Sequence, residues 1–378
     1  MAKKRGNGEG SITRRKSGGW CAQYTVYTSE GRKRRTLYGK TRQEVAAKLS
    51  RALAYREGGL TFDAGSLTVG EYLARWLSHS VRDTVSQKTY ERYESIVRVH
   101  LSPALGRIKL KALTPDHVRG IYREKLDSGL APRTVLHIHR TLSKALKQAV
   151  MDGLIPRNAA AAVKPPQPRR EEIQPLSRDQ VRTFLDTVRD DRMEALYVLA
   201  VTAGLRQGEL LALKWEDVDL EGTNPTLEVR RSLSETRGQR SFVTPKSGRG
   251  RHLRLSWRAV SALKAHRKRQ LEERVRKAGL WEDHGLVFPS EVGTPMSGRN
   301  LYRAFKIRVK RASSLPQTLR FHDLRHTCAT LLLRQGVNPK FVQELLGHAD
   351  ISLTLNTYSH VLPDMGDAAA GGMDAALG

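Results

Sequence analysis

The segment PRNAAAAVKPPQPRREEIQPLS (156–177) constrains this chain more than any other, because it reads as a linker. It holds Pro156, Pro165, Pro166, Pro168 and Pro175, with charges between them. Proline fixes φ and removes a backbone donor, so the stretch is extended and fairly stiff. It therefore separates two globular bodies by a defined reach, a layout suited to wrapping around a rod. A length of 378 residues points the same way, to two or three domains. The expected boundaries are 1–61, 66–163, a linker at 164–176, 177–362, and a tail at 363–378.

The first 61 residues carry fifteen Lys/Arg against four Asp/Glu. WCAQYTVYT (20–28) is rich in aromatic and β-branched residues and predicts a strand. Glu30 and Gly31 make a turn, and RKRRTLYG (32–39) predicts its hairpin partner. Thr41, with Glu44 three residues on, predicts the start of a helix. The expectation is a small α+β module of three strands and one helix. Its basic strand, Arg32, Lys33, Arg34 and Arg35, lies on a sheet that could be laid into a DNA groove. A solvated basic hairpin is the plainer alternative.

Residues 66–163 read as four helices at 67–80, 86–101, 114–129 and 131–154, with a break at Pro103 and Gly106. Val69, Leu73, Trp76 and Leu77 make one apolar stripe, and Tyr90, Tyr93, Ile96 and Val97 make another. Basic residues on the outer faces suit a bundle that clamps DNA, and an uncharged role as a plain scaffold is nearly as compatible. His117, His137 and His139 show no ligand pattern and are expected to be structural or on the surface. Beyond the linker the reading is mainly α: helices at 178–190, 193–204, 257–278 and 300–312. A small antiparallel sheet is expected from 226–234, 240–246 and 250–256, with Lys246 at a hairpin tip. The tail PDMGDAAAGGMDAALG is expected to be disordered, or a short helix that orders on a neighbouring molecule.

Lys plus Arg number 66 against 38 Asp plus Glu, a net charge of +28, which implies a polyanionic partner. The two cysteines, Cys21 and Cys328, make no disulfide framework, so a reducing cytoplasm is expected. The apolar run LYVLAVTAGL (196–205) is about half a membrane span and reads as a buried helix. The basic N-terminus has no apolar stretch behind it and does not read as a signal peptide.

Chemistry concentrates in three stretches. TAGLRQGELLAL (202–213) spaces Arg206 and Glu209 by three, HDLRHTCATLLLRQG (322–336) does the same for His322 and Arg325, and LLGHADISLTLNTYSH (345–360) carries His348 and an exposed-looking Tyr358. A phenol is a poor nucleophile at neutral pH, and attack on a phosphodiester gathers charge on equatorial oxygens. Fixed arginines suit those oxygens because they are always charged and bind two at once. Arg206 and Arg325 fill that role. Lys246 is the candidate donor to the leaving oxygen, His322 the acceptor of the tyrosine proton, His348 a phosphate ligand, and Glu209 an orienting group. Each has a plainer reading: Arg206 and Glu209 also fit a surface pair at i,i+3. His322, His326 and His348 also match a three-histidine metal site. Arg325 between them would oppose a divalent cation, and no metal is expected.

In order, spacing and flanking residues these stretches resemble the catalytic domain of the tyrosine recombinase (phage integrase) family across roughly 177–362. The resemblance implies that Arg206, Lys246, His322, Arg325 and His348 surround the scissile phosphate, with Tyr358 the nucleophile. It implies cleavage through a 3′-phosphotyrosine, exchange through a Holliday junction, and a homotetramer acting on double-stranded DNA. No cofactor is implied. The bundle at 66–163 is similar to the family's core-binding domain. The 1–61 module, with GEGSI near its start, looks like the arm-binding domain of integrases of phages and integrative elements. Those implications admit a host DNA-bending protein and a directionality factor as further partners, exclude a membrane, and place the protein with the nucleoid of a bacterial host.

Overall fold

The computed structural model describes residues 10–28, 31–57, 66–169, 174–246, 248, 250–358, 371 and 373–378. The chain divides into two compact units, Met1–Arg170 and Glu171–Gly378. Within the first, the described residues form two hydrophobic clusters, one in the N-terminal module and one in a helical bundle.

The module is an antiparallel sheet of β1 (Ser11–Arg14), β2 (Trp20–Thr28) and β3 (Gly31–Gly39), in that order, with helix α1 (Arg42–Glu57). Thr41 Oγ1 accepts the Glu44 N–H at 3.1 Å, and Glu44 accepts the Lys40 N–H at 2.8 Å, which anchors the start of α1. Strand alternation sorts the side chains. Ala22 and Tyr24 pack with Val45, Leu49 and Ala52 of α1, and Leu37, paired with Ala22, joins them. The basic strand is sorted the same way. Arg34 pairs with Thr25 on the face away from the helix, and Arg32 follows on that face by register, whereas Arg35 pairs with buried Tyr24. Lys33 pairs with Val26 along the backbone, and its side chain lies outside the described residues. Arg15 stacks on Tyr38, 4.8 Å from the ring centre.

The bundle comprises α2 (Val69–Arg75), α3 (Gln87–Ile96), α4 (Ser102–Leu105), α5 (Pro115–Asp127) and α6 (Pro132–Met151). The second helix was expected to stop before Pro103. Instead a π-helical turn, Val97–Leu101, carries it on into α4. The Ser102 N–H reaches five residues back to Val97, and Pro103 follows directly on this widened turn, at the start of α4. Thr68 with Glu71, and Thr114 with His117, cap α2 and α5. His139 bonds the Tyr122 hydroxyl at 2.6 Å, so both histidines have structural partners.

The second unit contains α7 (Arg178–Thr187), α8 (Glu194–Thr202), α9 (Gln207–Leu211), strands β4 (Val218–Asp219), β5 (Thr226–Val229), β6 (Ser232–Thr236), β7 (Gln239–Val243) and β8 (Arg251–Arg254), then α10 (Trp257–Arg276), α11 (Gly298–Arg311), α12 (Asp323–Arg334), α13 (Pro339–Leu346) and α14 (Ile351–Tyr358). Helix α8 is buried from Ala195 to Val201, as its unbroken apolar run predicts. Around it Phe184, Tyr197, Phe305 and Phe321 form a ring cluster with centroids 5.5–6.4 Å apart. The strands depart from the expected single sheet. One sheet is ordered β4-β5-β8 and a separate hairpin pairs β6 with β7. The hairpin tip is Arg237-Gly238, both at positive φ, and not Lys246. Two consecutive residues at positive φ match the tight turn that strand twist favours. Lys246 lies instead on the connection between the two sheets. Residues 373–377 of the tail are helical, and 359–370 lie outside the described residues.

Phe305 is fully buried and touches three of the other rings. Phe305→Ala is expected to destabilise the second unit by about 3–5 kcal/mol. A denaturant melt of the full-length protein in which no transition shifts would refute this account of the core.

Candidate active site

The site is built on the C-terminal end of α13. Gly347 there is left-handed, with φ 63 and ψ 47. Its N–H donates to the Glu344 carbonyl at 3.0 Å, and the His348 N–H reaches back to Gln343 at 3.1 Å. This Schellman closure satisfies two terminal carbonyls and leaves the next three free. Each of those three accepts from a different arginine. Arg251 Nε donates to Leu345 at 2.9 Å, Arg325 Nη2 to Leu346 at 2.6 Å, and Arg206 Nη2 to Gly347 at 3.1 Å. The helix end carries partial negative charge, so it draws together three cations that would otherwise repel.

Glu209 completes the cluster. It is 2% exposed and accepts four hydrogen bonds: two from Arg251, at 3.1 and 2.8 Å, and two from Arg206, through Nη1 at 2.8 Å and the backbone N–H at 2.9 Å. Burial pushes its pKa up, but the hydrogen bonds and charges of Arg251 and Arg206 outweigh that and hold it at about 2. The plain surface-pair reading of Arg206 and Glu209 is thereby set aside. The carboxylate is buried, and it is shared with a third residue.

Arg325 starts from the first turn of α12 and is also buried. Nη1 donates to the Gly204 carbonyl at 2.7 Å. Gly204 has φ 60, and a Cβ there would come within 2.7 Å of Leu346, so only glycine brings this carbonyl so close. Burial first, then Arg206, lowers the Arg325 pKa to about 9, which leaves it charged at neutral pH. Arg206 is less enclosed, with 23% of its side chain exposed. It is the guanidinium of the three with donors most open to an incoming anion.

Tyr358 reads as exposed from its polar neighbours in sequence, yet it is buried, packed with Ala329, Leu333, Val342 and Leu346. Burial raises its pKa and Arg325 offsets part of that rise. Its hydroxyl lies 2.7 Å from Nδ1 of His326, not of His322. His326 stands one helical turn after His322, and the two rings meet edge to face at 4.9 Å. His322 reaches solvent, and its pKa is lowered by its crowded surroundings, then by Arg325 and Arg206. His348 Nδ1 pairs with the buried Thr354 hydroxyl at 2.8 Å. Burial, followed by neighbouring positive charge, brings His326 and His348 each down to about 4. Among the described residues no three His, Cys, Asp or Glu side chains are grouped to hold a metal ion.

The structure thus brings together Arg206, Glu209, Arg325, His348 and Tyr358 around α12–α14, with His322 at the start of α12. Lys246 is exposed, next to a turn in which the Gly248 N–H donates to Pro245 at 2.8 Å. Among the described residues no hydrogen bond or ion pair ties it to the cluster. Arg32, Arg34 and Arg35 belong to the first unit. Sequence reasoning missed Arg251 and the pairing of His326 with Tyr358. Arg251 left one signal: it shares a strand face with buried Leu253, and an arginine on an inward face needs a buried partner.

Comparison with known proteins agrees with this architecture. The Phage integrase family model matches residues 174–365, and the model for the phage integrase N-terminal SAM-like domain matches 68–126. The chain is 31% identical over 350 residues to a XerC-like tyrosine recombinase of Caldanaerobacter subterraneus subsp. tengcongensis, covering 87% of this chain and 88% of that one. It is 30% identical over 371 residues to an integrase of Streptomyces ambofaciens, covering 95% and 94%. The fold is shared with the Tn1549 transposon integrase in complex with a circular intermediate DNA, with a TM-score of 0.70, 24% identity, and coverage of 81% of this chain and 99% of that one. It is also shared with a lambda integrase tetramer bound to a Holliday junction, at TM-score 0.54 and 22% identity, covering 90% and 95%. The chain belongs to the phage integrase family and is a tyrosine-type site-specific recombinase, an enzyme that cleaves and rejoins DNA. Among the described residues no helix is long and apolar enough to cross a membrane.

His326 and His348 are held neutral in the fold, below the ordinary histidine value of about 6.5, so unfolding takes up a proton at each as pH falls. Folding stability should therefore decline between about pH 6.5 and 4. Replacing either histidine by glutamine should flatten that decline by close to one proton. Urea midpoints of wild type, His326→Gln and His348→Gln across this range measure it, and parallel curves would contradict the burial described here.

Proposed function

We propose that this recombinase integrates and excises a phage genome or other mobile element, with Tyr358 as nucleophile. The observation that carries the reading is the convergence of Arg206 and Arg325 on adjacent carbonyls at the end of α13, with His348 next in sequence and Tyr358 on the following helix. Tyr358 Oη attacks phosphorus, the bond to the 5′ oxygen breaks, and a 3′-phosphotyrosine and a free 5′-OH result. The 5′-OH of a partner strand reverses the step, so phosphodiester energy is kept and no cofactor is consumed. Arg206 and Arg325 stabilise the equatorial oxygens, His348 binds the same phosphate, and Lys246 supplies a proton to the leaving oxygen. Once the hydroxyl has left His326, His322, which reaches solvent one turn earlier on the same helix, accepts the tyrosine proton.

Burial sets an order of events. A hydroxyl packed against Leu333 and Leu346, with its pKa raised, is a poor nucleophile. We infer that DNA draws α14 outward before attack, and that His326 holds the hydroxyl until then. In the proposed layout residues 1–61 grip arm-type sites with Arg32, Lys33, Arg34 and Arg35. Residues 66–163 and 177–362 clamp the core site across the linker at 164–176. The protein acts as a tetramer through a Holliday junction. The net charge of +28 supports a DNA partner, and the DNA held by the Tn1549 and lambda integrases whose fold this chain shares supports the same reading.

Wild type mixed in EDTA with nicked duplexes bearing the element's core site should yield SDS-resistant protein–DNA adduct, and Tyr358→Phe none. Arg325→Lys should slow adduct formation by about 10²–10³-fold. Adduct persisting in Tyr358→Phe would move the nucleophile elsewhere, and loss of wild-type adduct in EDTA would favour a metal-dependent nuclease.

A further inference from the structure

We propose that Arg251 is a positioning residue for strand cleavage, acting through Glu209 to set both the place and the effective charge of Arg206. The proposal rests on the recombinase reading of this site. Arg251 sits on the inward face of β8 with 9% of its side chain exposed. Three of its donors are committed, Nε to the Leu345 carbonyl and both terminal nitrogens to Glu209. A guanidinium so enclosed and so engaged is poorly placed to bind a phosphate itself. It is well placed to fix two things that Arg206 depends on, the carboxylate beside it and the helix end above it.

The charge count gives the second half of the argument. Glu209 is shared between two guanidiniums, so the three groups together keep a full positive charge. Without Arg251, Glu209 and Arg206 would close into a neutral pair. The guanidinium most open to DNA would then lose much of its attraction for a phosphate. The Leu345 carbonyl would also lose its donor, loosening the turn that carries Gly347 and His348. Both effects act at the scissile phosphate without Arg251 touching it.

The test uses full-length protein and the nicked duplex described above, in single turnover at saturating DNA. Wild-type adduct that disappears in Tyr358→Phe comes first, because its absence would strike the recombinase reading and not this one. With adduct in hand, Arg251→Gln is expected to slow its formation by about 100-fold, the scale of a small misplacement of a catalytic group. DNA affinity should change less than about threefold, since many other cations supply it. The Arg251→Gln/Glu209→Gln double variant should be no slower than the slower single one, because both act through one pair. Relative to wild type, Arg251→Gln should also gain rate as pH falls, because protonating Glu209 returns Arg206 its charge, and Glu209→Gln should abolish that dependence. A rate within twofold of wild type, or single effects that multiply in the double variant, would overturn the proposal. Should Arg251→Gln fail to fold by circular dichroism, Arg251→Lys takes its place. Lysine keeps the charge but cannot hold the carboxylate through two nitrogens. Slowed cleavage with intact binding is then expected, and wild-type cleavage would overturn the idea.

Discussion

Everything at this site depends on how a helix end is finished. Three guanidiniums within one small volume would repel strongly, yet here Arg206, Arg251 and Arg325 are each anchored to one of three successive carbonyls at the end of α13. The helix end supplies partial negative charge without a proton to lose, and Glu209 adds one whole negative charge. The sum remains positive, and the donors are fixed before any substrate is present. That is the condition under which electrostatic stabilisation of a phosphate works best, because little must be reorganised during reaction.

The same cluster explains why the tyrosine can be stored so near. Tyr358 packs on Leu333, Val342 and Leu346, the last of which lends its carbonyl to Arg325. One face of α13 thus serves as a hydrophobic seat, and its end as a cation binder. Burial suppresses ionisation of the phenol while Arg325 opposes that suppression. The pair of opposing effects keeps the phenol neutral in its seat and leaves a strong field beside it.

Much of this was legible in the sequence, and the limits have physical causes. One local signal held: Thr41 with Glu44 starts a helix as its spacing predicts, and the structure caps two further helices the same way, through Thr68 with Glu71 and Ser177 with Gln180. Arg206 with Glu209 and His322 with Arg325 were visible because three residues apart on a helix or its cap is a local relation. Arg251 was not, because its partner Glu209 lies 42 residues away in sequence, on α9. The burial of Tyr358 escaped notice because α14 is short and buries Thr354 and Tyr358 while leaving Ile351, Leu353 and Leu355 exposed, and the seat is made by other helices. Pro103 misled because a widened turn can absorb a proline that an ordinary helix would reject.

Gly347 illustrates how importance and chemistry come apart. It bears no reactive group, yet its φ of 63 closes the helix, its carbonyl holds Arg206, and a Cβ there would stand 3.0 Å from Arg251. Any side chain would disturb both arginines and the backbone leading to His348 at once. In a loss-of-function screen this glycine would score beside the residues proposed to do the chemistry. Ranking positions by mutational damage would therefore draw the boundary of the catalytic apparatus around a residue with no side chain to react.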